Sequence, residues 1–173
     1  RNFKNTFRSK FHFIRILDKL GNIQMTTEVV LPSISYFGKP ELQIPLAGKI
    51  YESEVFVTSD LTPTITLAVP INQLGIPESV LLAEIDLFDL WQFVEELKIG
   101  KEGYISLLTK DGKYFATGDG MTKFKALELS SYPNWKEAQS VFLEKRSFER
   151  KKEGSSMLAV ASQLEEPHGW WVV

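Results

Sequence analysis

The chain has 173 residues, 43% of them hydrophobic and 12% aromatic, which is ample for a packed core and excludes an intrinsically disordered chain. A formal net charge of −2 gives no electrostatic case for binding nucleic acid or an anionic membrane surface. With no cysteine there are no disulfides, thiolate metal sites or cysteine nucleophiles, which suits an oxidising extracytoplasmic space as well as the cytosol.

The first predicted element is a β-hairpin at Phe13–Thr27, "FIRILDKLGNIQMTT", whose Gly-containing turn separates two extended runs. The same pattern returns as "YISLLTKDGKYFATG" at Tyr104–Gly118, aligned without a gap at an offset of 91 residues. Ile14, Leu17, Lys19, Gly21 and Thr26 meet identical partners at Ile105, Leu108, Lys110, Gly112 and Thr117. Two further segments keep that offset: Leu67–Val69 meets Leu158–Val160, and "SVLLAEIDL" begins where "GWWVV" falls. A chain that repeats itself in this way is expected to fold as two similar units.

After the first hairpin comes an insertion, "SYFGKPELQIPLAGK", then β-branched and aromatic runs that read as strands: "YESEVFVTS", "PTITLAVPI" and "SVLLAEIDL". In the last of these Ala83, Ile85 and Leu87 fall on one face, and Leu82, Glu84 and Asp86 on the other. Leu87, Leu90, Trp91, Val94 and Leu97 form the apolar stripe of a helix that ends before Gly100, and this stripe reads as core. The second unit carries its own helix near Trp135–Leu143, introduced by Pro133, with strands at Ser147–Lys151, Ser156–Gln163 and Trp170–Val173. The expected fold class is α+β: two tandem PAS-like units, each an antiparallel sheet of about five strands with flanking helices.

The only histidines, His12 and His168, are far apart in sequence, so no metal cluster or catalytic triad is read, and no cofactor is expected. "GDG" at Gly118–Gly120 is a turn, because no Lys-Ser/Thr helix start follows it. The basic residues of "EKRSFERKKEG" alternate with glutamates, as on a solvated hairpin and not on a nucleic-acid patch. The chain begins without methionine and stops within a strand pattern, so it reads as a piece of a longer protein.

"PTITLAVPI", "VLLAEIDLFDLW", "KIGKEGYISLLTKDGKYFATGD" and "HGWWVV" together resemble the double-Cache sensor domains of bacterial and archaeal signalling receptors. The most specific piece is Ile99-Gly100-Lys101-Glu102-Gly103-Tyr104, which resembles that family's link into its second lobe. The resemblance implies an extracytoplasmic domain of a cell-membrane protein, with the parent most readily a sensor histidine kinase. A chemoreceptor, a diguanylate cyclase, or a structural or protein-binding module without a small ligand is the alternative. It divides the chain into the end of an N-terminal helix (1–11, with Phe3 and Phe7 on one face), a membrane-distal lobe with its connecting helix (12–97) and a membrane-proximal lobe (98–173). This fragment is not expected to be an enzyme. A homodimer is a possible assembly.

The resemblance also implies that a small molecule binds in the distal lobe. The family's amino-acid-binding branch carries Tyr, Arg-x-Trp-Tyr, Tyr-x-Asp and a last-strand Asp. Here Asp86 alone matches. Phe56-Val57-Thr58 stands in place of Tyr-x-Asp, and the insertion has neither Arg nor Trp. The candidate ligand-binding residues are therefore Asp86, Phe56, Thr58, Tyr36, Phe37, Tyr51, Thr66 and Glu84, with Thr64 on the strand of Thr66 and Lys39 or Lys49 available to an anionic ligand. Each has a plainer reading: Asp86 as a helix N-cap, Glu84 as a solvated sheet residue roughly 7 Å along the strand from it, Tyr36 and Phe37 as loop anchors, and Thr66 as a polar surface residue.

Overall fold

The computed structural model describes residues 10–118, 131–145, 147–152, 155–164 and 169–173. Phe3, Phe7, His168 and most of the "GDG" turn lie outside the described residues. The chain forms two compact units. The first takes the described residues up to Phe56 together with Thr62–Leu87, and the second takes Val57–Leu61 and those from Phe88 onward.

The first unit is built on one six-stranded sheet, antiparallel along its main path. Its strands are β1 (Phe11–Asp18), β2 (Ile23–Thr26), β3 (Tyr51–Glu52), β4 (Phe56–Val57), β5 (Pro63–Gln73) and β6 (Ile76–Asp86). The order is β2-β1-β6-β5-β3, with β4 also paired to β5. The long "YESEVFVTS" strand expected from sequence is instead the two short pieces β3 and β4. The break has a local cause: Ser53 Oγ accepts the Thr66 N–H at 2.8 Å, taking the place of a backbone acceptor and interrupting the ladder. The insertion after the first hairpin contains a short helix, α1 (Pro40–Leu46), whose first residue is a proline, the position where a missing N–H costs nothing. Leu42 from α1 packs with Leu17, Val80, Leu82 and Ala68, so α1 covers the apolar half of one sheet face.

The second unit has a four-stranded sheet of β9 (Ser106–Leu108), β10 (Tyr114–Thr117), β13 (Ser162–Gln163) and β14 (Trp171–Val172), in the order β10-β9-β14-β13. Two-stranded ribbons are formed by β7 (Lys98–Ile99) with β8 (Gly103–Tyr104) and by β11 (Ser147–Lys152) with β12 (Ser155–Val160). Helix α2 (Phe88–Glu96) packs on β10, with Val94 buried. Beside α3 (Trp135–Lys145) lies an aromatic core of Trp135, Trp171, Tyr132 and Phe142. The Trp135 and Trp171 rings meet edge to face at 5.5 Å.

The repeat is present in the hydrogen-bond register itself. Arg15 pairs with Thr26, Ile16 with Met25 and Leu17 with Ile23; at the 91-residue offset Ser106 pairs with Thr117, Leu107 with Ala116 and Leu108 with Tyr114, and each hairpin bulges at the same step. The next strand follows suit, since Leu17 faces Val80 and Leu108 faces Trp171. One correspondence fails. Pro70 faces Val80, whereas Gln163 faces Trp171, two residues beyond the offset. Leu158–Val160 therefore lies in the β11–β12 ribbon and is not the counterpart of Leu67–Val69, because the chain leaves the ribbon at buried Ala161 before pairing with β14.

Candidate functional site

Antiparallel neighbours directly opposite one another share a sheet face. In the first unit Leu17 faces Val80 and Pro70 lies beyond it; Arg15 faces Leu82 and then Ala68; Phe13 faces Glu84 and then Thr66; and Thr64 faces Asp86. The covered face thus runs from an apolar half, capped by α1, into a half carrying Arg15, Glu84, Thr66, Thr64 and Asp86. The polarity change is written into β6 as Val80-x-Leu82-x-Glu84-x-Asp86.

Arg15 is the centre of this polar half and is only 4% exposed. Its Nε and Nη2 donate to the two carboxylate oxygens of Glu28 at 2.7 and 2.8 Å, a bidentate pair. Nη1 donates to the Tyr36 hydroxyl, and the Phe13 ring lies 3.6 Å from the guanidinium carbon. Thr26, the cross-strand partner of Arg15, donates its hydroxyl to Glu28 Oε2 at 2.9 Å. The hydrogen bond from Arg15 holds the Glu28 carboxyl below its ordinary value. Burial raises the Tyr36 hydroxyl, with Arg15 acting in the opposite sense.

Glu84 behaves differently. Among the described residues its carboxylate makes no hydrogen bond or ion pair, and burial pushes it above the ordinary range, partly offset by His12 and Arg15. It is a partly desolvated carboxylate without a partner among the described residues, which costs free energy in the ionised form. His12 Nε2 lies 3.1 Å from Thr64 Oγ1, so the imidazole sits at the open end of the same strands.

The sequence-derived candidates divide accordingly. Tyr36, Glu84, Thr66 and Asp86 belong to this half of the first unit. Tyr51 packs on the apolar half, and Phe56 is half-buried. Phe37 is 70% exposed. Thr58 falls in the stretch counted with the second unit and donates to Asp60 at 2.5 Å. Asp86 still belongs to β6, two positions before α2, and its N–H donates to the Lys10 carbonyl at 2.9 Å. The Lys39 ammonium lies 5.0 Å from the Tyr36 ring centre, while Lys49 is exposed. Sequence reasoning missed Arg15 and Glu28. The available signal was a cation at the inward position of an alternating strand, Phe13-x-Arg15-x-Leu17.

No family model matches this sequence, and no curated protein matches it. Solved structures do. The ligand-binding domain of the Pseudomonas aeruginosa PAO1 amino acid chemoreceptor PctC, in complex with GABA, superposes with a TM-score of 0.70 at 16% identity, covering 97% of this chain and 75% of that one. The ligand-binding domain of the Pseudomonas fluorescens chemoreceptor CtaA with L-serine gives 0.64 at 16% identity, covering 97% and 73%. That of the P. aeruginosa PAO1 chemoreceptor PctB with L-Arg gives 0.61 at 19% identity, covering 97% and 72%.

The fold is that of a double-Cache sensor domain. At 16–19% identity the likeness is one of fold, so the polar half described above is read from this chain's own residues. Among the described residues there is no group of His, Asp and Glu suited to hold a metal ion, and no helix long and apolar enough to cross a membrane.

Proposed function

We propose that this chain is the extracytoplasmic ligand-sensing domain of a membrane-anchored chemoreceptor, and that it takes a small amine-bearing solute over the polar half of the first unit's sheet. The observation that carries this reading is Glu84, a half-buried carboxylate on the covered face, with Thr66 beside it and Asp86 one strand period along. A ligand ammonium would supply a charge-assisted partner, which Glu84 lacks among the described residues. The neighbouring structures are chemoreceptor domains, which favours a chemoreceptor parent over the histidine kinase expected from the sequence. Bound solute would favour one conformation of the domain by the difference in its affinity for the two.

The test is a thermal-shift screen of amines, amino acids, carboxylates, sugars and purines. A ligand at 100 times its dissociation constant adds ~2.7 kcal/mol, which for a chain of this size is a rise of roughly 5–10 °C. Amine-bearing hits that vanish in Glu84→Gln and weaken in Asp86→Ala support the reading. Hits confined to solutes without a cationic group sink it. Silence across the panel would favour a protein-contact module, for which the exposed apolar run Val29, Val30 and Leu31 speaks.

A further inference from the structure

The chain segment between β2 and α1 is irregular, and Arg15 fastens both of its ends: Glu28 at the start through the bidentate pair, and Tyr36 at the finish through the phenol. Between them Val29, Val30 and Leu31 are exposed, so the carboxylate of Glu28 is held by its own side-chain bonds and not by burial of the residues after it. The duplication shows that the scaffold does not demand this ion pair. At the matching position of the second unit the same register, bulge and turn are kept by Ser106 and Thr117, whose hydroxyls lie 2.8 Å apart. What differs in the first unit is a buried guanidinium fork that converges with the Thr26 hydroxyl on one carboxylate, its remaining nitrogen Nη1 donating to Tyr36.

We propose that Arg15 and Thr26, with Tyr36 holding the third guanidinium nitrogen, form a carboxylate-binding site which Glu28 occupies from within the chain, and that the carboxylate of a ligand enters by exchange with Glu28, releasing the segment between Glu28 and Tyr36. The inference rests on the ligand-sensing reading above and deepens it. With Glu84 for an ammonium and Arg15 for a carboxylate on the same face, the solute class becomes an amino-carboxylate. Occupation by Glu28 lowers the apparent affinity by the fraction of molecules in which the fork is free. A tenfold excess of the occupied state weakens binding about tenfold, and the departing segment carries the signal that the site is filled.

The experiment titrates the wild-type chain and Glu28→Gln with GABA, L-serine and 1,4-diaminobutane by calorimetry. In parallel it follows amide hydrogen exchange across residues 28–36 of the wild type. Glutamine keeps an acceptor for the fork but loses the charge. An amino-carboxylate is expected to bind Glu28→Gln about tenfold or more tightly than wild type, while the diamine binds both alike. In the wild type, exchange after Glu28 should quicken once the amino-carboxylate is bound, a readout that stands even if the variant folds poorly. Equal or weaker amino-carboxylate binding by the variant, with exchange unchanged in the wild type, overturns the proposal. If the diamine still binds in that case, the Arg15 site falls and the amine-sensing reading survives; if no probe binds either protein, both fall.

Discussion

Ser106 and Thr117 face one another across β9 and β10 with their hydroxyls 2.8 Å apart and both side chains buried, at the cross-strand position that Arg15 and Thr26 hold in the first unit. One scaffold position therefore carries a small hydroxyl pair in one copy and an ion-paired guanidinium in the other. Ser106→Ala is expected to cost ~1 kcal/mol, lowering the melting temperature by roughly 2–4 °C. Ser106→Ala combined with Thr117→Val should recover part of that loss, since no buried hydroxyl then loses this bond. Equal costs for the single and double variants, measured by denaturant unfolding, would show that the pair is not coupled.

The two halves of the Arg15–Glu28 pair should respond unequally to removal. Arg15 is 4% exposed and Glu28 is 27% exposed. Glu28→Ala strands a buried guanidinium and is expected to cost ~3 kcal/mol, the lower end for breaking a buried pair. Arg15→Met leaves a carboxylate that can turn to water and keeps an apolar stem between Phe13 and Leu17, so it should cost about half as much. Unfolding free energies in the reverse order would mean that the pair is screened by solvent from the Arg15 side.

Acid titration should reveal two opposed effects. Burial raises the Glu84 carboxyl, so the folded state binds its proton more readily than the unfolded chain does, and stability rises as pH falls from the raised value toward the ordinary 4.5. The Glu28 carboxyl is held low by the Arg15 hydrogen bond, so its contribution is complete above the ordinary 4.5 and is lost as pH falls through its folded value. Asp18, held low by Asn22, acts in the same sense from 3.8 downward. Melting temperature should therefore rise as pH falls toward 4.5, pass through a shallow maximum and then drop. Glu84→Gln should remove the rise and leave the drop.

Gly21 and Gly112 close the two hairpin turns with φ of 81° and 77°. A Cβ at Gly21 would lie 2.4 Å from the Phe37 backbone nitrogen, and one at Gly112 would lie 2.2 Å from the Trp135 ring. Alanine at either should cost roughly 2–4 kcal/mol, combining left-handed strain with overpacking. Gly75 also has a positive φ, 82°, but nothing within 4 Å, so Gly75→Asn should unfold close to wild type. Comparable losses at all three glycines would assign the cost to backbone strain alone.

Much of the architecture was legible in the residues. The 91-residue repeat, the hairpin turns at Gly21 and Gly112, the alternation of β6 and the α2 stripe are local patterns, and local periodicity survives into the fold because it decides which side chains can be buried together. The placement of Glu84 and Asp86 on one face of β6 was visible for the same reason. Sequence order alone did not settle what depended on pairing between distant segments. The Leu158–Val160 match was a coincidence of composition that the β13–β14 register undid, and "YESEVFVTS" broke where Ser53 reached Thr66. Above all, only the tertiary structure could bring Arg15, Glu28 and Tyr36 to one point, because Arg15 lies on β1 and the other two at opposite ends of the segment after β2, and a buried charge declares its partner only when the chain has closed around it.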